Sequence, residues 1–544
     1  MRSELGRLIP ELLVVRASGF LGDHQRRYPR WELANAELQS LLELGVGGVI
    51  LLGGSCAEVG LRTQQLRQWA GHPLLLCADV EEGVGQRFEG ATWLVPPLAL
   101  GQLHRSDPKR AVALAERYGH CTGLDARALG LNWVLGPVCD VNNNPANPVI
   151  NVRAWGETPQ TASDLAAAFT RGVQATGVLA CAKHFPGHGD TSVDSHLELP
   201  VIGHDRERLD AVELPPFQAV IAEGVAAVMT AHLMLSALDP ERPATLSRPV
   251  LSGLLRQELG FDGLIVTDAL VMEAIAGRYG AGEAAVLALE AGADLVLMPA
   301  DARGALVAIE AAVAAGRLSE SQLRRSAERR RRALALATTS SSTTASATTA
   351  SSNGPAAMPN PGRAMEPDGA LALELVQATL QVHGVPWIPR GGGVNLVRCD
   401  NALSAPFLPL TAPALVIPEA AGLATCLIEA RSPSPWSGDP QAPLALDRLP
   451  EGPVLLQLFV RGNPFRGSAG AGEPWPEVIR QLQSAHRLAG VVVYGSPYLW
   501  QSLQPALHAG VSAAYSPGQM PLAQQEVLEA IITTKQSSPS DFTD

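Results

Sequence analysis

The feature that most limits how this chain can fold is a rhythm in its first 300 residues. Short runs rich in Val, Ile and Leu recur eight times, each followed by loop residues and then a longer helical pattern. The runs are LLVVRASG (12–19), GVGGVILLGG (45–54), LLLCADVE (74–81), LNWVLGPVCDV (131–141), VLACAKHF (178–185), AAVMTAHLML (226–235), GLIVTDAL (263–270) and ADLVLMP (293–299). Amphipathic stretches such as WELANAELQSLLELG and SDLAAAFTRGVQATG lie between them. Strands apolar on both faces belong in parallel sheets covered by helices. Eight such units predict a (β/α)8 barrel of the TIM type, with an open doubly wound sheet as the alternative.

Barrels of this kind gather their chemistry at the C-terminal ends of the strands. Those ends carry Asp79, Asp140, Lys183 with His184, His232 and Asp268. Six ionisable groups at one mouth exceed what packing alone would place there, and the rim is expected to be the active site.

The rhythm stops at residue 337. Residues 338–362 are almost wholly Ser, Thr, Ala, Pro and Gly. Such a segment cannot offset its ordering entropy and is expected to be a flexible linker. A barrel over 1–337 and a second unit over 363–544 follow. In the second unit ALVIPEA, PVLLQLFVRG and LAGVVVYGSP read as parallel strands. LALELVQATLQVHG, WPEVIRQLQSAHRL and PLAQQEVLEAIITT read as helices, so a smaller three-layer α/β domain is expected.

Charge narrows the partners. A formal net charge of -12 argues against nucleic acid and anionic membranes, both of which attract basic surfaces. Arg324, Arg325 and Arg329 to Arg332 form the exception, read as a solvated face in the last turns of a helix. Seven scattered cysteines without a CxxC pair fit a reducing compartment. The first residues carry Arg2, Glu4, Arg7 and Glu11 where a signal peptide needs an apolar core, so a cytoplasmic location is expected.

One stretch concentrates polar chemistry: KHFPGHGDTSVDSHLELP, residues 183–200. It admits three readings. His184 and His188 are four apart, but Pro186, Gly187 and Gly189 preclude a regular helix. A metal site would need a loop that brings together His184, His188, Asp190 and His196. An acid/base device would use Asp194 and His196, because a carboxylate bonded to imidazole favours the imidazolium and fixes its tautomer. The third reading is a polar loop whose histidines are simply satisfied.

This stretch resembles the signature of family-3 glycoside hydrolases, in particular their β-N-acetylglucosaminidase branch. The likeness extends to ADVEEGVGQRF (78–88), LGPVCDVNNNPANPVINVRAWGETP (135–159), VMTAHLMLSALDPERPATLS (228–247) and GFDGLIVTDALVMEAI (260–275). It is dense over 1–337 and loose beyond. The resemblance implies that Asp268 is the nucleophile and His196 the general acid/base, with Asp194 as its partner. It implies that Asp79, Arg87, Arg153, Lys183 and His184 bind the sugar in the -1 subsite. Ala269 stands where many relatives have a second acidic residue, and Val84 where an Arg is common.

The implied activity is that of a retaining, exo-acting β-N-acetylglucosaminidase. Its substrate would be a small glycan or muropeptide bearing terminal N-acetylglucosamine, and no cofactor or metal would be needed. The rivals are a glycoside phosphorylase or β-glucosidase of the same family, a metal-dependent barrel hydrolase and a non-catalytic sugar-binding or scaffold protein. Phosphorolysis enters because a neutral imidazole does not repel phosphate as a carboxylate would.

Overall fold

Each of the eight apolar runs supplies one strand of a parallel barrel. The computed structural model describes residues 4–191, 199–339, 367–389, 392–399, 405–429, 444–461 and 473–532. The chain divides into two compact units, Met1–Gly369 and Ala370–Asp544. The first contains strands β1 (Leu13–Ser18), β2 (Gly48–Leu52), β3 (Leu75–Ala78), β4 (Trp133–Val134), β5 (Leu179–Phe185), β6 (Ala227–Thr230), β7 (Leu264–Val266) and β8 (Val296–Leu297). They pair in sequence order, and β8 also pairs with β1. The seam between β7 and β8 is closed by a bridge from Val266 to Leu295 and by Thr267 N–H donating to Leu295 O at 3.1 Å. The open sheet is thereby excluded.

The helices between strands start where their sequences provide a cap. Ser55 and Glu58 form a reciprocal capping box before Cys56–Ala70. Asp107 with Pro108 begins Pro108–Ala128, and Thr158 with Pro159 begins Pro159–Ala175.

The arginine cluster departs from expectation. Its helix is Glu320–Thr339, so the arginines occupy the first and middle turns and not the last. Arg324 and Arg325 are exposed, but Arg330 is buried. Arg330 donates to Gly47 O at 2.8 Å and Pro73 O at 2.7 Å, the residues just ahead of β2 and β3, and pairs with Glu11 at 3.2 Å. Arg329 and Arg256 both pair with the buried Asp294. Two of the six arginines, Arg329 and Arg330, thus help close the barrel's N-terminal end, where Arg330 supplies donors to open strand-end carbonyls. This helix continues to Thr339; the rest of the expected linker, from 340, lies outside the described residues.

The second unit holds a six-stranded sheet of β9 (Gln381–His383), β10 (Val394–Cys399), β11 (Ala424–Glu429), β12 (Val454–Val460), β13 (Leu488–Gly495) and β14 (Ser512–Ser516). The spatial order is β9-β14-β13-β12-β10-β11, and only β9 runs antiparallel. One apolar cluster packs helices Trp475–Ser484 and Pro497–Leu503 on one face. Another packs helices Pro413–Ala420 and Pro521–Ile531 on the other, which makes the three layers expected.

ALVIPEA is the correction here. It is the helix Pro413–Ala420, not a strand. A short apolar run is ambiguous by periodicity, and Pro413 at the first helical position settles it. VNLVRC, ATCLIE and SAAYS are further strands of the sheet, and LALELVQATLQVHG is helical only to Thr379, its QVH being strand β9. Among the described residues no helix is long and apolar enough to cross a membrane.

Candidate active site

The barrel's interior shows how the site is built. One buried cluster contains Val14, Leu75, Cys77, Leu179, Cys181, Leu264 and Val266, which are alternate residues of β1, β3, β5 and β7. Strand side chains alternate faces with a period of two. Continuing each alternation past the apolar layer brings Arg16, then Asp79 and Glu81, then Lys183, then Asp268 onto the same inner face. The polar mouth is the next turn of the pattern that fills the core.

On the β3–β5 side the groups lock into a clamp. Lys183 Nζ donates to Asp79 Oδ1 at 2.7 Å and lies 2.6 Å from Glu81 Oε1. Arg153 grips Glu81 with both arms, Nε at 2.7 Å and Nη2 at 2.9 Å, and donates Nη1 to Val149 O at 3.0 Å. Arg87 Nε donates to the Asp79 carbonyl at 3.0 Å. Burial alone would raise the Glu81 carboxyl, but Arg153 and Lys183 outweigh it and hold the group well below the usual range. Burial would lower the Lys183 ammonium, and Asp79 and Glu81 raise it instead. Lys183 has three donors and uses two here, so one remains for a ligand.

Three of the five contacts that Lys183 and Arg153 make here hold Glu81, a residue that the sequence analysis does not single out. Its signal was present: Glu81 follows Asp79 by two and therefore shares its face.

A second group supports the loop after β5. His184 Nδ1 lies 2.7 Å from Asp140 Oδ2, while the amides of His184 and His188 donate to Asp140 Oδ1 at 3.2 and 2.7 Å. Burial would raise the Asp140 carboxyl; His184, then His188, overcome it and hold it below the usual aspartate range. His188 is buried, its Nδ1 is 2.9 Å from Thr191 Oγ1, and burial pushes its pKa down to about 4. Asn147 Nδ2 donates to His188 O at 2.9 Å and to Gly189 O at 2.8 Å. At Gly189 any Cβ would collide with the Val141 carbonyl, which explains the glycine.

Of the four residues in the metal reading, the three described ones have these partners. The His184 and His188 rings are edge-on, 6.1 Å apart, each bonded elsewhere. Asp190 pairs with His204 Nε2 at 2.9 Å and with Arg208 at 3.6 Å. Among the described residues no three His, Cys, Asp or Glu side chains converge on a metal position. His196 and Asp194 lie outside the described residues.

Across the mouth, Asp268 follows β7 and is half-buried. It does not cap a helix: the next one is Glu273–Tyr279, whose N-cap is Met272. Its Oδ1 accepts Ala269 N–H at 2.7 Å, which fixes the carboxylate plane. The backbone beneath is held from both sides. Asp268 N–H donates to Thr230 Oγ1 at 3.3 Å, and the Thr230 and Thr245 hydroxyls are 2.7 Å apart. Thr245 Oγ1 is 2.8 Å from His232 Nδ1, and His232 Nε2 donates to Ala269 O at 3.1 Å. The circuit runs from the Asp268 amide to the Ala269 carbonyl, and all three of its side chains are buried. Of the six mouth groups expected, Asp140 and His232 are therefore fully buried supports behind the others.

Two family descriptions match the chain: the glycosyl hydrolase family 3 N-terminal domain over residues 8–333 and the bacterial glycosyl hydrolase family 3 C-terminal domain over 390–533. β-Hexosaminidase A of Pseudoalteromonas piscicida is 37% identical over 286 residues, 48% of this chain and 47% of that one. The chain thus spans about half of that relative's length. The β-hexosaminidase of Stenotrophomonas maltophilia K279a is 37% identical over 271 residues, 49% of this chain and 80% of its own. Among solved structures, a family-3 β-N-acetylglucosaminidase from Paenibacillus sp. FPU-7 superposes with a TM-score of 0.75 at 30% identity, covering 97% of each chain. A β-glucoside phosphorylase, at 19% identity and TM-score 0.76, shares the fold. The chain belongs to glycoside hydrolase family 3, on its β-hexosaminidase branch.

Proposed function

We propose that this protein is a retaining, exo-acting β-N-acetylglucosaminidase that releases terminal β-linked N-acetylglucosamine. The observation that carries the reading is the inner-face register. It sets the Asp268 carboxylate, just past β7, on the same inner face as the Asp79–Lys183–Glu81–Arg153 clamp, with β3 four strands from β7 in the ring. A sugar held by the clamp has its far end there and its anomeric carbon toward Asp268. The names of the relatives supply the aminosugar.

In this mechanism Asp268 attacks the anomeric carbon as the glycosidic bond breaks, giving a covalent glycosyl-Asp. His196, protonated and oriented by Asp194, delivers its proton to the leaving oxygen. It then takes a proton from the water that releases the sugar and regenerates Asp268. The clamp acts by orientation. Its ion pairs are made before the substrate arrives, so Asp79, Lys183 and His184 need not reorganise to receive hydroxyls. Cell-wall fragments bearing N-acetylglucosamine, within the cytoplasm, are the substrate source that fits this reading.

The test is release of 4-nitrophenol from 4-nitrophenyl β-N-acetylglucosaminide by wild type and Asp268→Asn, with and without EDTA. Activity that survives EDTA and disappears in the variant supports the assignment. EDTA-sensitive activity would return the metal reading. Repeating the assay in phosphate buffer separates the phosphorylase alternative, which would yield sugar phosphate in place of free sugar.

A further inference from the structure

We propose that Arg16 and Arg87 form an oxyanion-binding extension of the sugar pocket, admitting a -1 sugar that carries a sulfate or phosphate ester at the end farthest from the cleaved bond. The proposal rests on the glycosidase reading for its orientation, and on the following observations for the site itself.

Arg16 stands in the middle of β1, level with Ile50 of β2, which is level with Cys77 of β3. Ile50 and Cys77 belong to the apolar filling of the barrel. A guanidinium at that height points up the inner wall toward the mouth. Arg16 Nε is buried without a hydrogen-bond partner, and among the described residues its guanidinium makes no hydrogen bond or ion pair. Its contacts are ring faces, Tyr28 at 5.3 Å and Trp31 at 5.8 Å from the ring centroids. Burial pulls its pKa down, against the nearby charges of Glu32 and Asp79 that raise it. Each carboxylate has one oxygen engaged elsewhere, while Glu32 Oε1 is buried without a hydrogen-bond partner. Asp79 Oδ1 takes Lys183, and Glu32 Oε2 accepts Tyr28 N–H at 3.0 Å. A partly buried guanidinium with an unpartnered Nε is costly, and a ligand acceptor beside it would offset that cost.

The surroundings favour an anion. Arg87 is exposed, and its only side-chain hydrogen bond among the described residues is Nε to the Asp79 carbonyl, which leaves both terminal nitrogens available. The loop after β1, residues 19–34, adds Arg26, Arg27 and Arg30 against Asp23 and Glu32. On a chain of net charge -12 this is a local positive rim. Position follows from the ring order. β3 and β7 are four strands apart in a ring of eight, so a sugar with C1 at Asp268 presents C4 and C6 to Asp79. The exocyclic C6 oxygen reaches beyond the ring, and a tetrahedral ester on it offers the paired oxygens that guanidinium groups bind with two arms.

The experiment compares kcat/KM for 4-methylumbelliferyl N-acetyl-β-glucosaminide and its 6-sulfate in wild type, Arg16→Gln and Arg16→Lys. Wild type is expected to accept the sulfated substrate at least as well as the neutral one. Arg16→Gln should lower the sulfated value about ten-fold more than the neutral value, Arg16→Lys should restore part of the preference, and high salt should erode it. A wild type that rejects the sulfated substrate, or an Arg16→Gln in which both values fall equally, overturns the proposal. Calorimetric binding of N-acetylglucosamine, its 6-sulfate and its 6-phosphate does not depend on turnover. If no substrate is cleaved, the glycosidase reading fails, yet tighter binding of an ester that Arg16→Gln abolishes still supports the anion site. Equal binding of all three sugars rejects it, and the tighter of the two esters identifies the ligand. Thermal melting of each variant establishes that it is folded.

Discussion

The two sides of the mouth hold their functional groups by opposite means. On the β3–β5 side, Asp79, Glu81, Lys183 and Arg153 are fixed by charge, in a chain of ion pairs at 2.6–2.9 Å. On the β7 side, Asp268 is fixed by neutral hydroxyls and an imidazole acting on its backbone. On the proposed glycosidase reading, the difference follows from what each side must do. A group that grips hydroxyls keeps its charge throughout, so ion pairs can be permanent. A nucleophile must lose its charge to the anomeric carbon, and a tightly paired cation would oppose that loss. Neutral bonds to the backbone fix its position, and the carboxylate itself accepts the Ala269 N–H.

The contrast predicts where each side breaks. The largest effect is on the nucleophile itself: Asp268→Asn should lower kcat by about 10⁴ or more with little change in melting temperature. On the charged side the effect moves to stability. Glu81→Gln leaves Lys183 and Arg153 with only part of their compensation, and should cost about 3–5 kcal/mol, seen as a lower melting temperature of the barrel. A loss below about 1 kcal/mol would show that the clamp's charges are already solvated, against the buried reading.

Acid sharpens the same contrast. His188 has its pKa pushed down to about 4 by burial. A histidine whose folded value lies below its unfolded value of about 6.5 stabilises the fold fully above that pH. The contribution is lost as pH falls toward 4, and amounts to roughly 3 kcal/mol. Glu81 and Asp140 are also depressed, so their contribution persists above the ordinary carboxyl range and is lost only at lower pH. Melting temperature against pH should therefore fall in two stages. His188→Asn should flatten the first, between about pH 6.5 and 4, and leave the second.

Much of this was legible from sequence for one reason: the apolar and polar parts of each barrel strand share one period. LLCADVE gives Leu75 and Cys77 to the core and Asp79 and Glu81 to the mouth by the same alternation. Where function depends on position along a strand, the residues announce it. What was not legible depends on contacts between distant segments. Glu81 meets Arg153 from a loop 72 residues later, and Thr230 meets Thr245 across a turn. Arg330 looked like a surface charge because nothing local shows that Gly47 and Pro73 carbonyls wait for it. The same limit applies to ALVIPEA, whose four apolar residues fit either element until Pro413 and the neighbouring helix decide.

The smallest effect tests the neutral side most directly. Thr245→Val keeps the shape of the side chain and removes the hydroxyl that joins Thr230 to His232. The loss removes one partner each from the buried His232 imidazole and the buried Thr230 hydroxyl, about 1–3 kcal/mol of stability. If the circuit serves only stability, kcat should follow the folded fraction and change little. If it positions Asp268, a slight shift of the Asp268–Ala269 peptide moves the carboxylate off the line of attack. Then kcat should fall by about 10–100-fold, because misplacement of a reacting group by about 1 Å has that scale of effect. KM should hold nearly constant, since the sugar is gripped by the opposite side. Thr245→Ser restores the hydroxyl without the methyl group, and should recover kcat more completely than stability. Equal losses of kcat in Val and Ser would mean that packing, not hydrogen bonding, holds the nucleophile, and the contrast between the two sides would collapse.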